Sequence, residues 1–259
     1  MNEVLEVIEQ RISLRAYSDI PISSEEEEAI LHAAMRAPTA GNQMLYSMII
    51  IRDQERKQLL SELCDHQPFI AKAPLMIIFA ADHHKWFRYY QKNNVKQFCE
   101  GKAFQFEAPQ ESDLLLAIQD TMIAAQNSVI AAESMNIGSC YIGDIMENGE
   151  KIKELLNLPQ YTMPIGMVVY GHYPQGFPKL PKRRFDKQFV VFEDEYQQLS
   201  DEQIDEMFRE EDAHYDPNNP HQAENYAQQF YARKTGASFS KEMARSARFW
   251  LKQWDGRLL

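Results

Sequence analysis

Val4, Leu5, Ile8 and Ile12 fall on one helical face, so the chain opens with a helix over residues 3–11. A second helix starts at Ser23. Its hydroxyl stands three residues before Glu26, the spacing of a capping box, and the run Glu25–Glu28 lies where a helix dipole favours negative charge. Pro38 ends that helix. Ser47–Ile51 and Leu75–Ala81 are short apolar runs that read as buried strands, with a helix from Asp53 to Leu63 between them. From Leu114 to Met135 the pattern is apolar almost all round, and Ala117, Ala124, Ala125, Ala131 and Ala132 add helix propensity. That is the pattern of a central, buried helix. Ile137–Ile142 and Met163–Tyr170 are two more strands, flanking a helix near Lys151–Leu156 that ends before Pro159. Phe189–Phe192 predicts one further strand.

Strands and helices alternate, which predicts an α/β layered core. From Ser200 onward the chain is polar and largely helical, with a turn at the DPNNP of residues 216–220. Arg245, Phe249 and Trp250 fall in a last helix that packs its aromatics on the body or on a partner. The expected organisation is one domain over residues 1–200 and a helical C-terminal extension over 201–259. Between the second strand and the central helix, residues 86–110 are crowded with aromatics: Trp86, Phe87, Tyr89, Tyr90, Phe98, Phe104 and Phe106. They either pack that segment onto the body or form a lid over a binding site.

Charge narrows the function. The net charge of −11 argues against nucleic acid, whose phosphates need a broad basic face. The opening residues are interrupted by acidic and polar positions, unlike a signal peptide, and no apolar run is expected to span a bilayer. Cys64, Cys99 and Cys140 are odd in number and far apart, which suits a reducing, cytoplasmic setting and argues against a cysteine zinc site. His83 and His84 follow a strand end, where adjacent side chains on an extended segment point to opposite sides and cannot share a metal. No dinucleotide-binding glycine motif, phosphate loop, nucleophile elbow or zinc-protease motif is present. With no acid–base or nucleophile constellation, chemistry is left to a cofactor.

Four segments stand out together: Arg11-Ile12-Ser13-Leu14-Arg15; Pro38-Thr39-Ala40-Gly41-Asn42; Tyr141-Ile142-Gly143-Asp144; and Lys182-Arg183-Arg184. Singly, each has a bland reading as surface arginines, a turn, or a solvated basic patch. As an ordered set over residues 3–200 they resemble the nitroreductase family, in its branch of NADPH-dependent flavin and nitroaromatic reductases. In that family an R-x-S-x-[RK] element opens the flavin site, matched by Arg11, Ser13 and Arg15. A P-[ST]-x-x-N turn is matched by Pro38, Thr39 and Asn42, and a Y-I-G-G turn by Tyr141, Ile142, Gly143 and Asp144. A K-P-R element is matched by Lys182 and Arg184, and a flavin-contacting glutamine by Gln67. Two departures stand out. Ile12 occupies a position that is often basic or His, and Asp144 replaces a glycine, so its carboxylate has to point away from an electron-rich ring.

The resemblance implies an α+β fold with a mixed, antiparallel-rich sheet flanked by helices, FMN as cofactor, NADPH or NADH as reductant, and an intertwined homodimer with FMN at the subunit interface. The guanidinium and ammonium groups suit the FMN phosphate, Gly143 lets backbone approach the ring, and Thr39, Asn42 and Gln67 suit its neutral polar edge. Hydride then passes from NAD(P)H to flavin N5 and on to a small acceptor, a nitroaromatic, a quinone or free flavin, in a ping-pong cycle. The alternatives are a dehalogenase-like or flavin-degrading enzyme on the same fold, or a non-catalytic flavin-binding redox sensor.

Overall fold

The computed structural model describes residues 2–256. The chain divides into two compact units: one runs to Pro181 and resumes at Glu242, the other is Lys182–Lys241.

In chain order the elements of the first unit are α1 (Glu3–Gln10), α2 (Ser24–Met35), β1 (Tyr46–Ile50), α3 (Gln54–Leu63), α4 (Pro68–Ala71), β2 (Leu75–Asp82), α5 (His84–Lys92), α6 (Val95–Cys99), α7 (Glu111–Ser134), β3 (Ile137–Ile142), α8 (Gly149–Leu155) and β4 (Thr162–His172). The second unit carries α9 (Asp201–Asp212), α10 (Tyr226–Arg233) and the start of α11 (Ser238–Leu251). The capping box of α2 forms as expected: Ser23 Oγ accepts from Glu26 N–H at 3.2 Å, and Ser23 N–H donates to Glu26 Oε2 at 2.8 Å.

The strands make one sheet in the order β1-β2-β4-β3, every neighbouring pair antiparallel. Ser13 adds an isolated parallel bridge to Ser139 on the β3 edge. The central pair β2 and β4 is buried on both sides, so each reads as an unbroken apolar run while its side chains still alternate between two layers. On one face Ile77, Phe79, Val168 and Tyr170 meet Ala124, Ala125, Val129 and Ala132 of α7. On the other, Met76, Ile78, Met167 and Val169 pack with Leu60 of α3, Ile70 of α4, and Trp250 and Trp254. The last helix thus returns its aromatics to the body. Its Arg245 forks onto Glu150 at 2.7 and 2.8 Å.

Four expectations are corrected. First, α7 is buried on one side only: Leu115, Leu116, Met122 and Ile123 are 60, 43, 37 and 40% exposed. Second, at 24 residues α7 is long and apolar enough to span a membrane, although the sequence promised no such run. Its buried face lies on the sheet, as a core helix does. Third, Phe189–Phe192 is no strand. Lys187–Phe189 forms a 3₁₀ turn, and the amides of Phe189, Val190 and Val191 are already bonded to Asp186 and Lys187 carbonyls, leaving no ladder edge to pair. Fourth, His83 and His84 are not on an extended segment. His83 caps α5 with helical dihedrals, and His84 Nδ1 lies 3.1 Å from the Gln160 carbonyl.

The aromatic stretch is helical where it begins. Phe87 is buried, stacks on Phe106 at 5.9 Å between centroids and meets the Tyr161 edge at 5.0 Å. Its packing is core packing. Phe87→Ala is therefore expected to cost about 3–5 kcal/mol of stability, the scale for emptying a buried aromatic site, as measured by urea denaturation.

Candidate functional site

The segment after α1 runs alongside β3. Leu14 N–H donates to the Ser139 carbonyl at 2.9 Å, and Ser18 N–H to that of His172 at 3.0 Å. The pleat sends Leu14 inward, fully buried, and Ser13 and Arg15 outward. This close approach depends on Gly138: a Cβ there would stand 2.6 Å from Leu14 Cδ2 and 2.8 Å from Tyr173. The sequence thus docks its first motif against the strand that carries the third.

Around Cys140 the two motifs meet. Burial pushes the Cys140 thiol up, and Arg15, Ser13 and Arg11, all close enough to act on it, oppose that rise. Tyr141 on the opposite pleat is pushed up to about 12 by burial, again opposed by Arg11, while its hydroxyl donates to Gln126 of α7 at 3.2 Å. The Arg15 guanidinium lies 5.8 Å from the Phe69 ring centroid. Among the described residues no ion pair includes Arg11 or Arg15. In a chain of net charge −11, two neighbouring guanidinium groups without carboxylate partners suit an anion.

At the end of β3 the chain turns through Gly143–Met146. Gly143 is exposed, and a Cβ there would meet nothing within 4 Å, so open space lies over it. The Asp144 carboxylate is held back by Gln67, whose Nε2 donates to Asp144 Oδ2 at 2.6 Å and to the Cys64 carbonyl at 2.9 Å. Both amide hydrogens of Gln67 are thereby used, and its Oε1 remains as an acceptor. Behind the turn Glu147 is 4% exposed with Oε1 unpartnered, and its pKa is raised to about 7 by burial first, then by Asp144, Asp65 and Glu242.

The Pro38–Asn42 turn lies elsewhere. It enters β1, at the opposite edge of the sheet from β3, with β2 and β4 between: three strand spacings, about 14 Å. Gly41, Asn42 and Met44 all have left-handed φ of 54, 56 and 51°. Thr39 Oγ1 accepts from Met44 N–H at 2.7 Å, and Trp86 Nε1 donates to the Gln43 carbonyl at 2.8 Å. Asp120 of α7 accepts from Ala40 N–H at 2.9 Å and from Leu45 N–H at 3.2 Å.

Arg11, Ser13, Arg15, Gln67, Tyr141, Gly143 and Asp144 therefore share one edge of the first unit. Thr39 and Asn42 sit at the other. Lys182 and Arg184 belong to the second unit, where Arg184 donates to the Lys182 and Arg183 carbonyls at 3.0 and 3.1 Å. Sequence reasoning missed Phe69, Gln126 and Asp120. Asp120 did carry a signal, because it is the sole charged residue between Leu114 and Ala132.

Glu147 supplies a pH prediction. Its folded pKa of about 7 exceeds the ordinary 4.5, so between those values the native state binds more protons than the unfolded chain and stability falls as pH rises. Glu147→Gln should leave Tm unchanged at pH 4 and raise it by about 2–4 °C at pH 8, the response of a chain of this size to roughly 1 kcal/mol. Thermal melts across that range measure it.

The chain is similar to known proteins in sequence and in fold. A sequence model described as the Nitroreductase family matches residues 8–172. The chain is similar to the FMN reductase [NAD(P)H] of Bacillus subtilis, 31% identical over 182 residues and 70% of each chain. It is also similar to the oxygen-insensitive NADPH nitroreductase of Salmonella typhimurium, 31% identical over 215 residues and 83% of each chain. Among solved structures, NfrA2 of B. megaterium superposes with a TM-score of 0.79 at 26% identity, covering 100% of both chains. On the family match and on relatives of this identity and coverage, the chain belongs to the nitroreductase family.

Proposed function

We propose that this chain is an FMN-dependent oxidoreductase that draws reducing equivalents from NAD(P)H and delivers them to small acceptors such as nitroaromatics, quinones or free flavin. The observation that carries the reading is the pair Arg11 and Arg15, close to Cys140 on the strand that ends at the open Gly143 and without a carboxylate partner among the described residues. The family relatives named as FMN and nitro reductases support it. When bound, FMN supplies the two-electron carrier that the side chains lack. The chain's own groups bind and orient it. Arg11 and Ser13 suit the phosphate. Arg15 would bring positive charge to the ring, the backbone at Gly143 and Asp144 would be free to approach it, and Gln67 Oε1 would be available to accept a hydrogen bond from the cofactor. One open face serves reductant and acceptor in turn, which gives ping-pong kinetics.

A cytoplasmic homodimer is part of the reading. Thr39 and Asn42 stand at the wrong edge of the sheet to reach Arg15 within one chain, so a second copy supplies them. The exposed apolar residues favour this: Leu115, Leu116, Met122 and Ile123 recur at heptad spacing on α7, and Val4, Leu5 and Ile8 are exposed on α1, which touches α7. The three cysteines are free and buried, which suits a reducing compartment.

Purified protein should be yellow, bleach with NADPH under anaerobic conditions, and recover its colour with a quinone or nitroaromatic, with parallel double-reciprocal lines. Arg15→Ala should weaken FMN binding by about 1–3 kcal/mol, the range for a lost charged hydrogen bond. Protein that stays colourless with added FMN refutes the reading, and a yellow protein that no nicotinamide bleaches points to a sensor.

Ile123→Glu places a charge in the apolar stripe. It should shift the species seen by light scattering from dimer to monomer and release FMN in parallel. A monomeric wild type with FMN bound would rule the dimer out.

A further inference from the structure

We propose that Asp120 is the positioning residue of the FMN site: from α7 it holds the turn at residues 39–45 in the shape that completes the site of the opposite subunit. This rests on the FMN-binding homodimer proposed above.

Asp120 is 3% exposed on the buried face of α7, where it is the sole charged residue between Leu114 and Ala132. A carboxylate in that place is costly unless both oxygens are satisfied. Here each oxygen takes one backbone amide, Oδ1 that of Ala40 and Oδ2 that of Leu45, so a single side chain brackets the turn at both ends. Between the brackets lie the left-handed residues Gly41, Asn42 and Met44. Such a backbone is uncommon for Asn and disfavoured for Met, and it persists where surrounding bonds over-determine it. Thr39 Oγ1 on Met44 N–H and Trp86 Nε1 on the Gln43 carbonyl are the other clamps, and neither comes from α7.

That origin gives Asp120 its particular role. The same helix carries Leu116 and Ile123 on its exposed face and Asp120 on its buried one. A second copy docked on the exposed face is therefore placed, through one rigid helix, relative to the turn it receives. Asp120 touches no cofactor and acts only through the backbone of residues 40–45.

The test uses Asp120→Asn in the full-length protein. Its amide keeps the shape but sets N–H against N–H at one bracket. FMN Kd should rise about tenfold or more, the scale of one lost charged hydrogen bond. Deuterium uptake at residues 39–45 of the FMN-free protein should accelerate, while the dimer persists and Tm moves by only a few degrees. If Asp120→Asn does not fold, Asp120→Ser, with room for a bridging water, takes its place in each measurement. The deciding experiment pairs an Asp120→Asn subunit with an Arg15→Ala subunit, each with its own affinity tag. Acting across the interface, the two lesions fall in one site and leave the other intact, so half of the sites bind FMN with wild-type affinity. No tight site in that heterodimer means that the turn serves its own subunit, and overturns the proposal. So does an Asp120→Asn protein that binds FMN like the wild type, or one that loses FMN only as it unfolds. If the wild type itself takes up no FMN, the cofactor reading fails and this role falls with it, a result distinguished by where the failure lies.

Discussion

Everything in the first unit is referenced to the packing of α7 on the sheet. Ala117, Ala124, Ala125 and Ala132 are fully buried, and small side chains there let the helix lie close enough to touch all four strands. A larger residue on that face would lift the helix and break its polar links at both edges together. At the β1 edge the link is Asp120 to the turn, and at the β3 edge it is Gln126 to Tyr141. Ser128 meets Tyr170 between them, at 2.7 Å in the fully buried layer. Polar bonds this deep fix the register of helix over sheet more tightly than alanine contacts can.

The chemistry of the site is set by which charges are left without partners. Some cations elsewhere are neutralised within the chain: Arg245 by Glu150 and Glu242, Lys179 by Glu133, Arg52 by Glu27. Arg11 and Arg15 have no such carboxylates, although acidic residues outnumber basic ones by 38 to 27. A phosphate-bearing cofactor would give them the anion that the described residues do not. Local charge, rather than the overall −11, decides what binds there.

The layers were readable from periodicity because buried strands and the helices that cover them obey short-range rules. The capping box at Ser23, the apolar runs of β2 and β4 and the alanine-rich helix all express local geometry. What the chain could not disclose was pairing across long separations. Alternating strands and helices suggested only a layered core, and it was the family resemblance that implied the antiparallel-rich sheet seen in the order β1-β2-β4-β3. The strand order also sends Thr39 and Asn42 to the edge opposite Arg15, a separation that local pattern cannot show. Phe189–Phe192 misled for a different reason: β-branched residues announce a strand, and Lys187 and Asp186 close a turn before any partner is met. Asp120 was visible as a lone charge in an apolar helix, but its partners lie 75 and 80 residues away in sequence.

The replacement of a glycine by Asp144 now has a physical account. A carboxylate beside an electron-accepting ring would oppose its reduction, and the structure ties this one back with the Gln67 amide at 2.6 Å. That tie uses the last donor on Gln67, which is left able only to accept. The same turn carries Glu147 behind it, in a pocket of negative charge shared with Asp65, Asp144 and Glu242. Keeping a proton on Glu147 up to about pH 7 spares the turn one more buried anion.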